Sequence, residues 1–291
     1  MSTNTTTAAN AGSSSTSSSS MRSMTTTTST TLTALVEWFQ INGSGFVPSA
    51  RYSHVSSTDA GRFWVFGGTD HLGVDKSDLW HYTLEVGWTL ADAASGPAAR
   101  WMHSAAAADG RFWVFGGYAR SPASLFGDLW CFENEAWSKI EGTPSPSARF
   151  GHVSAMALTR FWVFGGNDFR ISGLNDLWYF TPEVGWAQAF GPGDGSVWPS
   201  ARQVAGVGAD RDGGLWIFGG ENAPFNQPFM SNDLWHFTLQ AGWRLLDAGS
   251  GPSVRGGCSS AMDASGKFWV FGGFDYATIL NDLWFFKEEC R

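Results

Sequence analysis

The feature that most constrains this chain is a seven-residue run that returns five times. Arg62 to Gly68 reads RFWVFGG, as do Arg111 to Gly117 and Arg160 to Gly166. Gly214 to Gly220 reads GLWIFGG, and Lys267 to Gly273 reads KFWVFGG. The second glycines fall at 68, 117, 166, 220 and 273, in steps of 49, 49, 54 and 53. An aromatic, β-branched run closed by a glycine pair is a buried strand ending in a tight turn. A period near 50 means that the fold is an array of one supersecondary unit.

Three further series keep the same period. Pro48, Pro97, Pro146, Pro199 and Pro252 each stand three residues before an arginine, at 51, 100, 149, 202 and 255. Asp-Leu-Trp recurs at Asp78, Asp128, Asp176, Asp233 and Asp282. A short strand built around Trp recurs at Trp38, Trp88, Trp137, Trp186 and Trp243. One period therefore holds four short strands, named a to d in the order arginine, glycine pair, Asp-Leu-Trp and final Trp. Four antiparallel strands per unit make a propeller blade. Strand a is followed by small residues, as in Ser104 to Ala108, which suits the crowded axis; strands b to d carry Trp, which fills the widening rim. The periodic positions account for 15 of the 17 tryptophans, so the Trp series reads as packing between blades.

The glycine pair, the Asp-Leu-Trp, the final Trp and the Pro-x-x-Arg-x-x-His pattern resemble kelch repeats across residues 34 to 287. The resemblance implies an all-β kelch-type propeller whose relatives are mostly protein-interaction modules, and counting the units gives five blades where kelch rings more often have six or seven. Five a, b and c strands are present, but the fifth d strand exists only if Trp38 supplies it. The N-terminal strand is therefore expected to close the last blade and leave no open edge. Residues 1–33 are Ser/Thr-rich with almost nothing apolar and read as a disordered tail; residues 34–291 form the propeller.

Composition excludes several classes. A net charge of −8 with four lysines gives no broad basic surface for nucleic acid or anionic lipid. The one early apolar run, Leu32 to Val36, is too short for a signal or a membrane span. Cys131, Cys258 and Cys290 occupy different repeat positions, which is neither a disulfide framework nor a zinc set. A reducing, cytoplasmic setting and a monomer are expected. His54, His103 and His152 recur at one position, and hydrogen bonding to the backbone within each blade is their expected role. No catalytic constellation and no cofactor motif stands out, so a non-catalytic module is expected. The alternative is a metal-dependent, carbohydrate- or small-molecule-active propeller with its site at the channel mouth.

Strand alternation puts the d–a and b–c connections on one face. The five arginines, Arg51, Arg100, Arg149, Arg202 and Arg255, are expected to ring that face, with Arg120 and Arg170 in its loops. Such a ring could read a protein or acidic peptide; recurrence in all five units favours the other reading, in which each arginine pairs with an acidic neighbour such as the Asp-Leu-Trp aspartate and serves structure. Loop lengths on this face scatter, and the longest two flank blade four: Gly191 to Trp198 and Glu221 to Met230. Their apolar residues, Trp198, Phe225 and Phe229, are expected either to anchor the partner or to cover one another and plug the channel mouth.

Overall fold

A computed structural model of the chain describes residues 46–169, 173–190, 197–222 and 229–287. The chain divides into two units, Met1–Asn42 and Gly43–Arg291, and the described residues lie in the second. The Ser/Thr-rich stretch, the Trp38 strand, Arg170 and Phe225 lie outside the described residues.

The second unit is a five-bladed β-propeller with no helix among the described residues. Blade one is β1 (Val55–Asp59), β2 (Arg62–Phe66), β3 (Leu79–Thr83) and β4 (Gly87–Asp92), paired in that order. Blade two is β5 (Ser104–Ala108), β6 (Arg111–Phe115), β9 (Leu129–Glu133) and β10 (Ala136–Ile140). A small hairpin, β7 (Tyr118–Arg120) and β8 (Ala123–Leu125), fills its b–c connection. Blade three is β11 (Val153–Ala157), β12 (Arg160–Gly166), β13 (Leu174–Thr181) and β14 (Gly185–Phe190). Blade four splits its inner strand into β15 (Arg202–Gln203) and β16 (Gly206–Ala209), followed by β17 (Leu215–Asn222), β18 (Phe229–Thr238) and β19 (Gly242–Asp247). Blade five shows β20 (Ser259–Met262), β21 (Phe268–Phe274) and β22 (Ile279–Phe286).

Apolar packing between blades follows one rule. The b-strand Trp of one blade lies on the first aromatic of the next: Trp64 on Phe112 at 5.7 Å, Trp113 on Phe161 at 6.5 Å, Trp216 on Phe268 at 6.0 Å. The d-strand Trp reaches back to the b-strand Phe of the preceding blade: Trp137 to Phe66, Trp186 to Phe115 and Trp243 to Phe164, at 5.2 to 5.4 Å. The most buried Trp ring is Trp162 of strand b, 1% exposed, and rings of strands c and d, such as Phe237 and Trp243, are buried with it. The c-strand indoles of Trp130 and Trp178 are only half-buried.

Polar links run around the channel mouth. The amides of Met102, Gly151, Val204 and Gly257 donate to the carbonyls of Ser53, Met102, Gly151 and Val204, each bond crossing to the preceding blade. All five residues have positive φ, between 49° and 65°. Four join blades one to five in sequence; among the described residues no fifth bond returns to blade one.

Candidate functional site

Each blade carries one arginine, one aspartate and one Trp locked together. In blade two, Arg100 donates to both Asp128 oxygens at 2.7 and 3.0 Å and to the Gly116 carbonyl at 2.9 Å. Its Nε donates to the Ala98 carbonyl, and the Trp130 indole donates to Asp128 Oδ2 at 2.7 Å. The same set appears as Arg51–Asp78–Trp80, Arg149–Asp176–Trp178, Arg202–Asp233–Trp235 and Arg255–Asp282–Trp284. Arg100, Arg149 and Arg255 are fully buried and Arg202 is 1% exposed. Burial alone would raise the Asp128 carboxyl, but the Arg100 hydrogen bonds and charge outweigh it and hold the group below its ordinary range. Asp233 behaves alike beside Arg202. The arginines therefore tie strand a to the glycine pair and to strand c inside each blade. The positive ring expected on the open face is neutralised beneath it.

The histidines also differ from expectation. His103 and His152 pack across the blade boundary, edge-on to Phe66 and Phe115 at 5.3 and 5.2 Å. Both ring nitrogens of each are buried without a well-formed hydrogen bond. Burial first, and the adjacent arginine second, depress both: His103 well below the usual range, His152 to about 3. They are neutral spacers beside a central channel of about 580 Å³ lined by small residues of the inner strands. Among the described residues no group of three metal-ligating side chains converges. Burial also lifts the Cys131 and Cys258 thiols to about 12 and 11, which keeps them protonated at neutral pH.

The open face is built from residues that flank these constant positions. The residue after each arginine bridges to the residue after each glycine pair: Tyr52 to Thr69, Trp101 to Tyr118, Phe150 to Asn167, Gln203 to Glu221, Gly256 to Phe274. The frame is fixed and its presented side chains vary. In blades one to three the first member is aromatic. Trp101 and Tyr118 approach at 6.2 Å, Tyr118 and Phe150 at 6.3 Å, Tyr118 and Phe169 at 5.4 Å, Phe150 and Phe169 at 4.7 Å. Phe169 is 64% exposed and held at φ 61° by its own amide donating to Asn167 Oδ1. Arg120 lies over the Trp101 ring at 3.9 Å, with Nη1 bound to Thr69 Oγ1 and Asp75 Oδ1. This makes an aromatic arc with a half-exposed cation at one end. Across the mouth, Gln203 donates to Glu221 at 2.9 Å, and Tyr276 stands 52% exposed.

Of the two long loops, the structure describes the ends. Trp198 is half-buried and packs on Trp243 at 6.2 Å, as a lid on the core between blades three and four. Phe229 is 63% exposed where β17 and β18 extend as a long hairpin, and its neighbour Met230 is buried. The aromatic arc was missed by reasoning from loop length. Its signal was available: the position after each constant arginine reads Tyr, Trp, Phe, Gln and Gly. No helix among the described residues is long and apolar enough to cross a membrane.

A family model described as the KLHDC2/KLHL20/DRC7 Kelch-repeats domain matches residues 11–189. No curated protein matches the chain.

Proposed function

We propose that this chain, which belongs to the kelch-repeat family, is a non-catalytic protein-interaction module that takes its partner on the d–a/b–c face. The observation that carries the reading is the arc of the half-buried Trp101, Tyr118 and Phe150 and the exposed Phe169, with Arg120 at its end. No blade needs these rings for its core, yet a rigid frame holds them side by side. Aromatic and arginine side chains on a preorganised scaffold contribute most of the energy in protein interfaces. The contact set is Arg120, Phe169 and Phe229, joined by the loop residues Arg170 and Phe225. The five buried arginines support the face from below. Both bonds of Arg120 use Nη1, so a carboxylate of an acidic peptide segment can approach the edge carrying Nη2.

The test is quantitative recovery of interacting proteins from native extract on immobilised full-length chain. Phe169→Ala with Arg120→Ala should lower recovery of the specific partner by more than about tenfold, with the melting temperature nearly unchanged. Leu84→Ala with Val184→Ala, exposed residues of the opposite face, should change nothing. Undiminished recovery with the first pair, or loss with the second, moves the site off this face.

A further inference from the structure

The half of the channel mouth made by blades four and five differs in charge from the half that carries Arg120. Glu221 follows the glycine pair of blade four, and Phe274, Asp275 and Tyr276 follow that of blade five. Gly256 bridges to Phe274, and a Cβ on it would lie 3.7 Å from the Glu221 amide nitrogen, so the two connections meet there. Both carboxylates are held by neutral donors. Gln203 Nε2 donates to Glu221 Oε2 at 2.9 Å, while Gln203 Oε1 is buried with no hydrogen-bond partner. The amides of Ala277 and Thr278 donate to Asp275 Oδ1 at 3.1 and 2.8 Å. Among the described residues neither carboxylate has an ion-pair partner. On the other half, Asp70 pairs with Lys76 and Asp75 with Arg120. Exposed rings stand beside the unpaired carboxylates. Tyr276, at φ 71°, meets Phe274 at 6.5 Å, and Phe229 lies opposite Asn222, next to Glu221 in β17. Burial first, then the Glu221 charge and its hydrogen bond to the phenol, raise Tyr276 above its ordinary value, which puts the hydroxyl beside that carboxylate.

Resting on the partner face proposed above, we infer that Glu221, Asp275 and Tyr276 form a subsite for a basic side chain, lysine or arginine, of the peptide segment whose carboxylate Arg120 receives. Charge complementarity selects this occupant. An unpaired carboxylate supplies the ion pair, and exposed Tyr and Phe rings attract the same cation through their faces. An acidic or purely apolar side chain would leave both carboxylates uncompensated. The two poles also set direction: the partner's acidic residue lies toward blade two and its basic residue toward blades four and five. Complementary poles of this kind fix register and reject wrong partners.

Peptides selected from a random library on immobilised full-length protein test this. Selected binders should carry a basic residue at a fixed spacing from an acidic one. For such a peptide, Glu221→Gln with Asp275→Asn should weaken binding at least about tenfold in fluorescence anisotropy, with the melting temperature nearly unchanged. Replacing the peptide's basic residue by norleucine should cost the wild-type protein the same factor and the variant almost nothing. Losses that simply multiply overturn the inference, as do binders that carry no basic residue. If those binders are still lost with Phe169→Ala and Arg120→Ala, the face stands and only the subsite falls. No selected binder at all, or binders indifferent to both pairs of substitutions, overturns the face and the subsite together.

Discussion

Arg100 and Asp128 sit 28 residues apart and meet through two short hydrogen bonds inside blade two, with Arg100 wholly buried. The pair joins the start of the inner strand to the start of the third, and the Trp130 indole and the Gly116 carbonyl complete it. Removing one partner leaves a buried charge uncompensated, which costs about 3–5 kcal/mol. Asp128→Ala should therefore lower the unfolding free energy by about that much in denaturant titration. The same change at Asp282 strands Arg255, which is equally buried, and should cost about as much. A clearly smaller loss at Asp282 would show that burial of the arginine left behind does not set the cost.

Gly67 and Gly61 separate two reasons for glycine. Both have positive φ, 65° and 79°. A Cβ at Gly61 meets nothing within 4 Å, whereas at Gly67 it lies 2.7 Å from the His103 ring and 2.9 Å from the Arg100 carbonyl. Gly61→Ala should cost only the backbone term, about 1 kcal/mol. Gly67→Ala should cost clearly more, because a neighbouring blade must move. Equal melting temperatures would remove the role given to Gly67 at the blade boundary.

Acid should weaken the fold in two windows. His152 titrates near 3 in the fold and near 6.5 when unfolded, so between those values the unfolded chain binds the extra proton. Stability then falls as pH drops below 6.5, by about 2 kcal/mol at pH 5 for this residue. His103 acts in the same direction. The paired Asp128 and Asp233 have depressed values, so their contribution is present above the ordinary carboxylate range and is lost only in stronger acid. A melting series from pH 7 to 4.5 should show the histidine window, and His103→Gln with His152→Gln should flatten it. An unchanged slope in that variant contradicts the assignment.

Trp162 is 1% exposed and packs against Tyr179 and Phe237. Trp162→Ala should cost about 3–5 kcal/mol. Trp178→Ala should cost less, since that indole is half-buried and its main tie is the hydrogen bond to Asp176. The opposite ranking would mean that the indole-to-carboxylate bond outweighs packing.

The repeat makes most of this fold legible in the sequence. The glycine pairs, the Asp-Leu-Trp triplets and the Trp series each mark a strand, and strand order follows from their sequence order. The Arg–Asp pairing was legible as one of two options, because strict recurrence is what a structural contact within every blade produces. Three things were not legible. Whether His103 bonds inside its blade or packs across the boundary depends on the angle between sheets, which no spacing encodes. Trp198 reads as an anchor from loop length, but the approach of Trp243 turns it inward. The aromatic arc arises because β-bridges bring Trp101 beside Tyr118 and Phe150 beside Asn167, pairs separated by a whole hairpin.

The measurement that tests the central claim most directly is a photo-crosslinking scan of the full-length protein in native extract. A photoreactive residue would replace Tyr52, Phe169, Phe229 or Tyr276 on the proposed face, and Leu84, Leu158 or Val184 on the other. One shared partner should crosslink from Phe169 and Phe229, and none from Leu84, Leu158 or Val184. A partner captured from Leu84, Leu158 and Val184, with none from Phe169, would contradict it.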